Sequence, residues 1–89
     1  MTLRIQKSED RGCVVLALTG RIEREHTEEL QRLIDKEKDR DNIVLDLREV
    51  KLVDRDTVKF LMRCEAEGIR LDNCPSYIRE WITRERAGK

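Results

Sequence analysis

Apolar residues along this chain fall into short blocks whose period changes from one block to the next. "LRIQK" (residues 3–7) alternates apolar and polar side chains, which predicts a half-buried edge strand. "SEDRG" reads as a five-residue polar turn with Gly12 available for positive φ, and "CVVLALTG" follows as a stronger strand closed by Gly20. Two strands joined in this way predict an antiparallel hairpin. In "REHTEELQRLIDKEKD", Leu30, Leu33 and Ile34 form a narrow helical stripe, with Thr27 as the expected N-cap. "IVLDL" (residues 43–47) is nearly all apolar, as in a strand at the centre of a sheet or covered on both faces. After "REVKLV" and a loop "VDRDTV" comes a second amphipathic helix. It carries Val58, Leu61, Met62 and Cys64 or Glu65, and Gly68 ends it in the C′ role. "IRL" (residues 69–71) predicts a short strand. "NCPSYIREWITRER" then places Pro75 at a first helical position, with Tyr77, Ile78, Trp81 and Ile82 on one face. Residues 84–89 are expected to fray.

The element order is strand, strand, helix, strand, helix, strand, helix. Strand–helix–strand units of this length require parallel pairing and right-handed crossovers. The expected fold is a small α/β domain, a mixed sheet of about four strands whose first member runs antiparallel, with three helices. No linker, repeat or low-complexity segment divides residues 1–89, so one domain is expected.

Composition narrows the function. Apolar residues make up 38% of the chain and charged ones 43%, and the apolar ones cluster, which fits a small core under a polar surface. Lys+Arg and Asp+Glu number 19 each and alternate in sign, as in "EKDRD", so no net field favours nucleic acid or an anionic membrane. The longest apolar run, residues 13–18, is too short to span a bilayer, and no secretory signal opens the sequence. A cytoplasmic location is expected, without direct membrane insertion. Cys13, Cys64 and Cys74 are odd in number and widely spaced, with no C-x-x-C pair and with His26 the only histidine. They read as reduced packing thiols rather than metal ligands, and Cys74, at a helix start, is the one placed for reactivity. His26 has Glu25, Glu28 and Glu29 nearby but no nucleophile motif to serve. With no nucleophile elbow, P-loop, dinucleotide fingerprint or metal cluster, neither catalysis nor a cofactor is expected.

"LALTGRI", a helix with "EELQRLI", then "NIVLDLREVKLVD", a helix and "GIRL" together resemble the STAS domain of anti-sigma-factor antagonists. The resemblance covers about residues 3–82, in the same element order, and the chain looks trimmed where family members continue past the third helix. It implies a binding module rather than an enzyme. In that family the loop after the third strand carries Asp-Ser-Ser/Thr-Gly. The first serine is phosphorylated by a partner kinase that is also an anti-sigma factor, and modification releases the partner. Here Asp54 matches the aspartate, Arg55 takes the acceptor position, Asp56 the second hydroxyl position and Thr57 the glycine position. A guanidinium accepts no phosphoryl group, so the resemblance implies a module without the usual switch.

The residues themselves leave two compatible readings of this junction. Asp54 or Asp56 caps the following helix. Alternatively Asp54, Arg55, Asp56 and Thr57 present a fixed pattern to a partner. Thr57 has the nearest hydroxyl and is a lesser candidate for phosphorylation, while Ser76, beside Pro75, reads as a helix-start residue. Tyr77 and Trp81, four apart on one helical face, read first as core and second as a further interaction surface. The expected function is a non-catalytic protein–protein interaction module whose partner resembles an anti-sigma factor or serine kinase, the chain itself being a monomer or weak homodimer. The alternative is an accessory STAS subunit of a transport complex or a homo-oligomeric scaffold.

Overall fold

The computed structural model describes residues 3–37 and 40–88. Its elements are β1 (Leu3–Asp10), β2 (Cys13–Ile22), α1 (Arg24–Asp35), β3 (Ile43–Val53), α2 (Arg55–Ala66), β4 (Arg70–Asp72) and α3 (Ser76–Ala87), with a 3-10 turn at Arg40–Asn42 before β3. The sheet has four strands in the order β1-β2-β3-β4. β1 runs antiparallel to β2, and β2, β3 and β4 run parallel. This is the mixed sheet with three helices that the hydrophobic pattern predicts.

Sequential strand order combined with right-handed crossovers puts α1 and α2 on the same face of the sheet. The packing agrees with that rule. One core cluster takes Leu16 and Leu18 from β2, Leu45 and Leu47 from β3, Leu30 and Ile34 from α1, Val58 and Leu61 from α2, and Ile78 and Ile82 from α3. The alternate residue Val44 is buried but lies outside that cluster.

Four local features differ from the sequence reading. The hairpin turn is two residues long, not five: Asp10 pairs with Cys13, and Arg11 and Gly12 both take positive φ, 53° and 83°. Ser8, Glu9 and Asp10 extend β1 because an edge strand needs only backbone partners, which β2 supplies while their side chains face water. β3 is eleven residues long and reaches Val53, so "REVKLV" is strand. Its pairing with β2 shifts register twice, between Ala17 and Thr19 and between Gly20 and Arg21. These bulges turn the buried positions Leu47, Val50 and Val53 into a three-residue spacing that alternation does not reveal. Asp46 services the first bulge, its Oδ1 accepting from the Arg48 amide at 3.0 Å and from Asn73 Nδ2 at 3.1 Å. The cap of α1 is Glu23, not Thr27, which lies inside the helix and donates its hydroxyl to the Arg24 carbonyl at 2.7 Å. His26 Nδ1 accepts the Glu23 amide at 3.0 Å, closing that first turn. Finally, α3 continues through Ala87 where fraying was expected, and it starts at Ser76, one residue later than predicted, with Pro75 as its N-cap.

α2 ends as predicted. Gly68 has φ +99°, its amide donates to the Glu65 carbonyl at 3.1 Å, and the Ile69 amide donates to the Cys64 carbonyl at 3.0 Å, a Schellman closure. A methyl group at Gly68 would also strike the Asp41 carboxylate. Gly68→Ala is expected to lower the unfolding free energy by about 1–2 kcal/mol, read from a urea titration with an unchanged slope.

Candidate functional site

β2 and β3 finish level, since Ile22 pairs with Val53. α1 and α2 therefore start side by side at the carboxyl ends of two parallel strands, after a single connecting residue each, Glu23 and Asp54. The predicted loop "VDRDTV" is thus one residue, and Asp54 fills it. Its Oδ1 accepts from the Thr57 amide at 2.9 Å and from the Thr57 hydroxyl at 2.7 Å, while Oδ2 accepts from the Arg24 amide at 2.8 Å. One carboxylate thus receives amides from the first turns of both helices, where the peptide dipoles favour negative charge. Burial pushes the Asp54 carboxyl up, but the bonds from Thr57 and Arg24 outweigh it, leaving the group below the usual aspartate value.

The four junction residues separate into different roles. Thr57 is fully buried, its hydroxyl shared between Asp54 and the Ile22 carbonyl at 3.1 Å. Thr57 is therefore withdrawn from the partner-contacting set: a buried hydroxyl that already bonds a strand and a cap offers nothing to a visitor. Asp54 is partly buried and serves the fold. Arg55 and Asp56 face outward. The Arg55 side chain is 68% exposed and its Nε lies 3.3 Å from Glu85 Oε2 on α3, while the Asp56 side chain is 55% exposed and sits 3.9 Å from Arg24 Nε.

On the α3 side of the junction, Arg55, Lys59 and Met62 of α2 face Trp81, Arg84 and Glu85 of α3 across an open groove of about 650 Å³. Met62 and Trp81 are half-buried against the core. The indole N–H donates to Glu85 Oε2 at 3.3 Å, so the same carboxylate holds Arg55 and Trp81. On the α1 side, Glu23, Glu25, Glu28 and Asp54 line a shallower, acidic depression with Arg24. Sequence reasoning missed Lys59, Met62, Arg84 and Glu85, although the i, i+4, i+7 spacing from Arg55 through Lys59 to Met62 carries the signal. Tyr77, expected in the core, is 41% exposed. Its hydroxyl donates to the Lys51 carbonyl at 2.9 Å, tying α3 to the end of β3. Farther along the helix pair, Glu65 accepts two bonds from Arg79, at 3.1 and 2.9 Å, and one from Arg86 at 2.9 Å. The Arg79 guanidinium, with Arg86 behind it, holds the Glu65 carboxyl below its ordinary value despite partial burial.

The family model described as "Mlab, STAS domain" matches residues 5–79. The chain belongs to the STAS domain family. No curated protein matches it. Among solved structures, it is similar to the crystal structure of Mglu, with a TM-score of 0.62 and 20% identity, covering 80% of this chain and 19% of that one. It is also similar to an uncharacterized protein of the DUF3478 family, with a SpoIIAA-like fold, from Shewanella loihica PV-4. There the TM-score is 0.55 and the identity 12%, covering 98% of this chain and 78% of the other. At these identities the likeness is one of fold, and the STAS chain shares the SpoIIAA-like fold. Among the described residues, no helix is long and apolar enough to cross a membrane.

Asp54 supplies a cap worth about 1 kcal/mol and the bond to Arg24 adds about 1 kcal/mol more. Asp54→Ala is thus expected to lower the unfolding free energy by about 2 kcal/mol at neutral pH. The folded carboxyl titrates below its ordinary value of 3.8, so its contribution is present above that pH and is lost as pH falls through the folded value. Urea titrations across the acid range should therefore show the variant and the natural chain converging at low pH.

Proposed function

We propose that this STAS domain is a non-catalytic protein–protein interaction module whose contact face is centred on the start of α2 and is not toggled by phosphorylation there. The observation that carries this reading is Arg55. It stands at the position where the family pattern holds its phosphoacceptor, on the first turn of α2, and its side chain is 68% exposed and steadied by Glu85. Asp56 stands beside it, also outward. Asp54 and Thr57 form the rigid base beneath them, so the exposed charges are presented from a fixed helix start rather than from a loop. Fixed charges on a rigid element set specificity and encounter rate. Loss of the acceptor alcohol removes the chemistry of the usual switch, and the buried Thr57 hydroxyl does not replace it. Binding is then governed by the supply of the chain or of its partner. The three cysteines form no disulfide, in keeping with a role in a reducing cytoplasm.

The test is affinity purification from the native cell with the full chain, comparing the natural sequence with Arg55→Glu. A specific protein partner is expected, and the charge reversal should reduce its recovery at least tenfold while circular dichroism still shows a folded chain, even though the lost contact to Glu85 lowers its unfolding midpoint. Equal recovery with both chains, or a partner that releases only after this segment is phosphorylated, would count against the reading.

A further inference from the structure

The groove between α2 and α3 has a composition that the start of α2 alone does not explain. Its floor is the half-buried pair Met62 and Trp81, and its rim carries Arg55, Lys59 and Arg84 against the single carboxylate of Glu85. Glu85 is already engaged, by Arg55 and by the indole N–H. Lys59 and Arg84 are exposed, and neither is ion-paired with another described residue. Two cations thus stand over an apolar floor with no counter-charge among the described residues to hold them. The lining positions run Arg55, Lys59, Met62 on one helix and Trp81, Arg84, Glu85 on the other, so the trough follows about two helical turns, roughly 10 Å.

We propose that this groove docks a short acidic segment of the protein partner, with one large apolar side chain laid on Met62 and Trp81 and carboxylates set against Lys59 and Arg84. This inference rests on the reading of the chain as an interaction module and names the chemistry of what it binds. An acidic segment completes the charge balance that Glu85 leaves open, and the apolar anchor takes the surface that water now touches. A free phosphate would answer the cations but leave the Met62–Trp81 floor wet. An anionic bilayer is broad and flat, whereas these cations flank a narrow trough. A segment of about seven residues in helical form matches the length of the lining. Because the contact is small and its charges stand at a rim, it confers salt-sensitive selectivity rather than tight affinity.

Trp81 is the only tryptophan in the sequence, so its emission reports directly on the groove. The experiment titrates the full chain with a tryptophan-free amphipathic helical peptide that has Glu and Leu on one face. Parallel titrations use the same peptide with Lys for Glu, the same peptide with Ser for Leu, and phosphatidylglycerol vesicles. A saturable change in Trp81 emission is expected with the Glu/Leu peptide alone. It should weaken at least tenfold in Lys59→Glu/Arg84→Glu, whose exposed positions leave the fold intact by circular dichroism, and it should fade as salt is raised. No response to the Glu/Leu peptide, an equal response to the Lys peptide, or a response only to vesicles would overturn the proposal. Recovery of a cellular partner that depends on Arg55 but is indifferent to Lys59→Glu/Arg84→Glu would remove the groove and leave the interaction module standing. Loss of Arg55 dependence would remove the module itself.

Discussion

A single carboxylate organises the end of this molecule at which its chemistry is displayed. Two parallel strands end in register at Ile22 and Val53, and each turns into a helix after a single residue. Each helix start leaves backbone amides without partners, and the positive ends of two helix dipoles come to lie next to each other. Asp54 answers both at once by receiving Arg24 from α1 and Thr57 from α2. The arrangement costs desolvation, yet three hydrogen bonds to the ionised form outweigh it. That geometry divides the labour among four consecutive residues. Asp54 and Thr57 turn inward and hold the corner, so Arg55 and Asp56 are left on the outside of a helix that cannot shift easily beneath them.

The order and kind of elements are legible in the chain because most blocks keep one clean period. Leu30 and Ile34 mark α1, Val58 and Leu61 mark α2, and Gly68 marks the stop. The failures share a physical cause, an interaction that replaces the usual local signal. The hairpin uses Arg11 rather than Asn or Gly at its first left-handed position, so no turn dipeptide announces it. The far half of β3 pairs through two register shifts, and a strand whose buried residues recur every third position resembles neither template. The cap of α1 is a glutamate working with a histidine, a pairing that hydroxyl preferences do not suggest.

The candidate site shows a similar split. That Asp54 caps and that Arg55 stands outside could be argued from their places after an apolar strand. That Thr57 is fully buried could not, because its burial depends on the Ile22 carbonyl, 35 residues away. The groove is equally hidden. Its two walls come from helices separated by β4, and only their packing brings Lys59 and Met62 opposite Trp81 and Arg84. Long-range clamps hold that packing: Glu65 binds two arginines of α3, and Glu85 of α3 binds Arg55 of α2 in return. A composition with 43% charged residues and zero net charge therefore contains opposite charges that α2 and α3 use to find their relative position.

β1 forms the outer border of the sheet, eight residues long and paired on one side only. A border of that length is open to lateral recruitment of a foreign strand, the route by which many sheets stack into fibrils. Six of its eight side chains are exposed, and among them Arg4, Lys7, Glu9 and Asp10 carry charge. A stranger hydrogen-bonding to this flank would have to accommodate a close file of hydrated ions on its new neighbour. The charged flank thus discourages cross-β growth along this border.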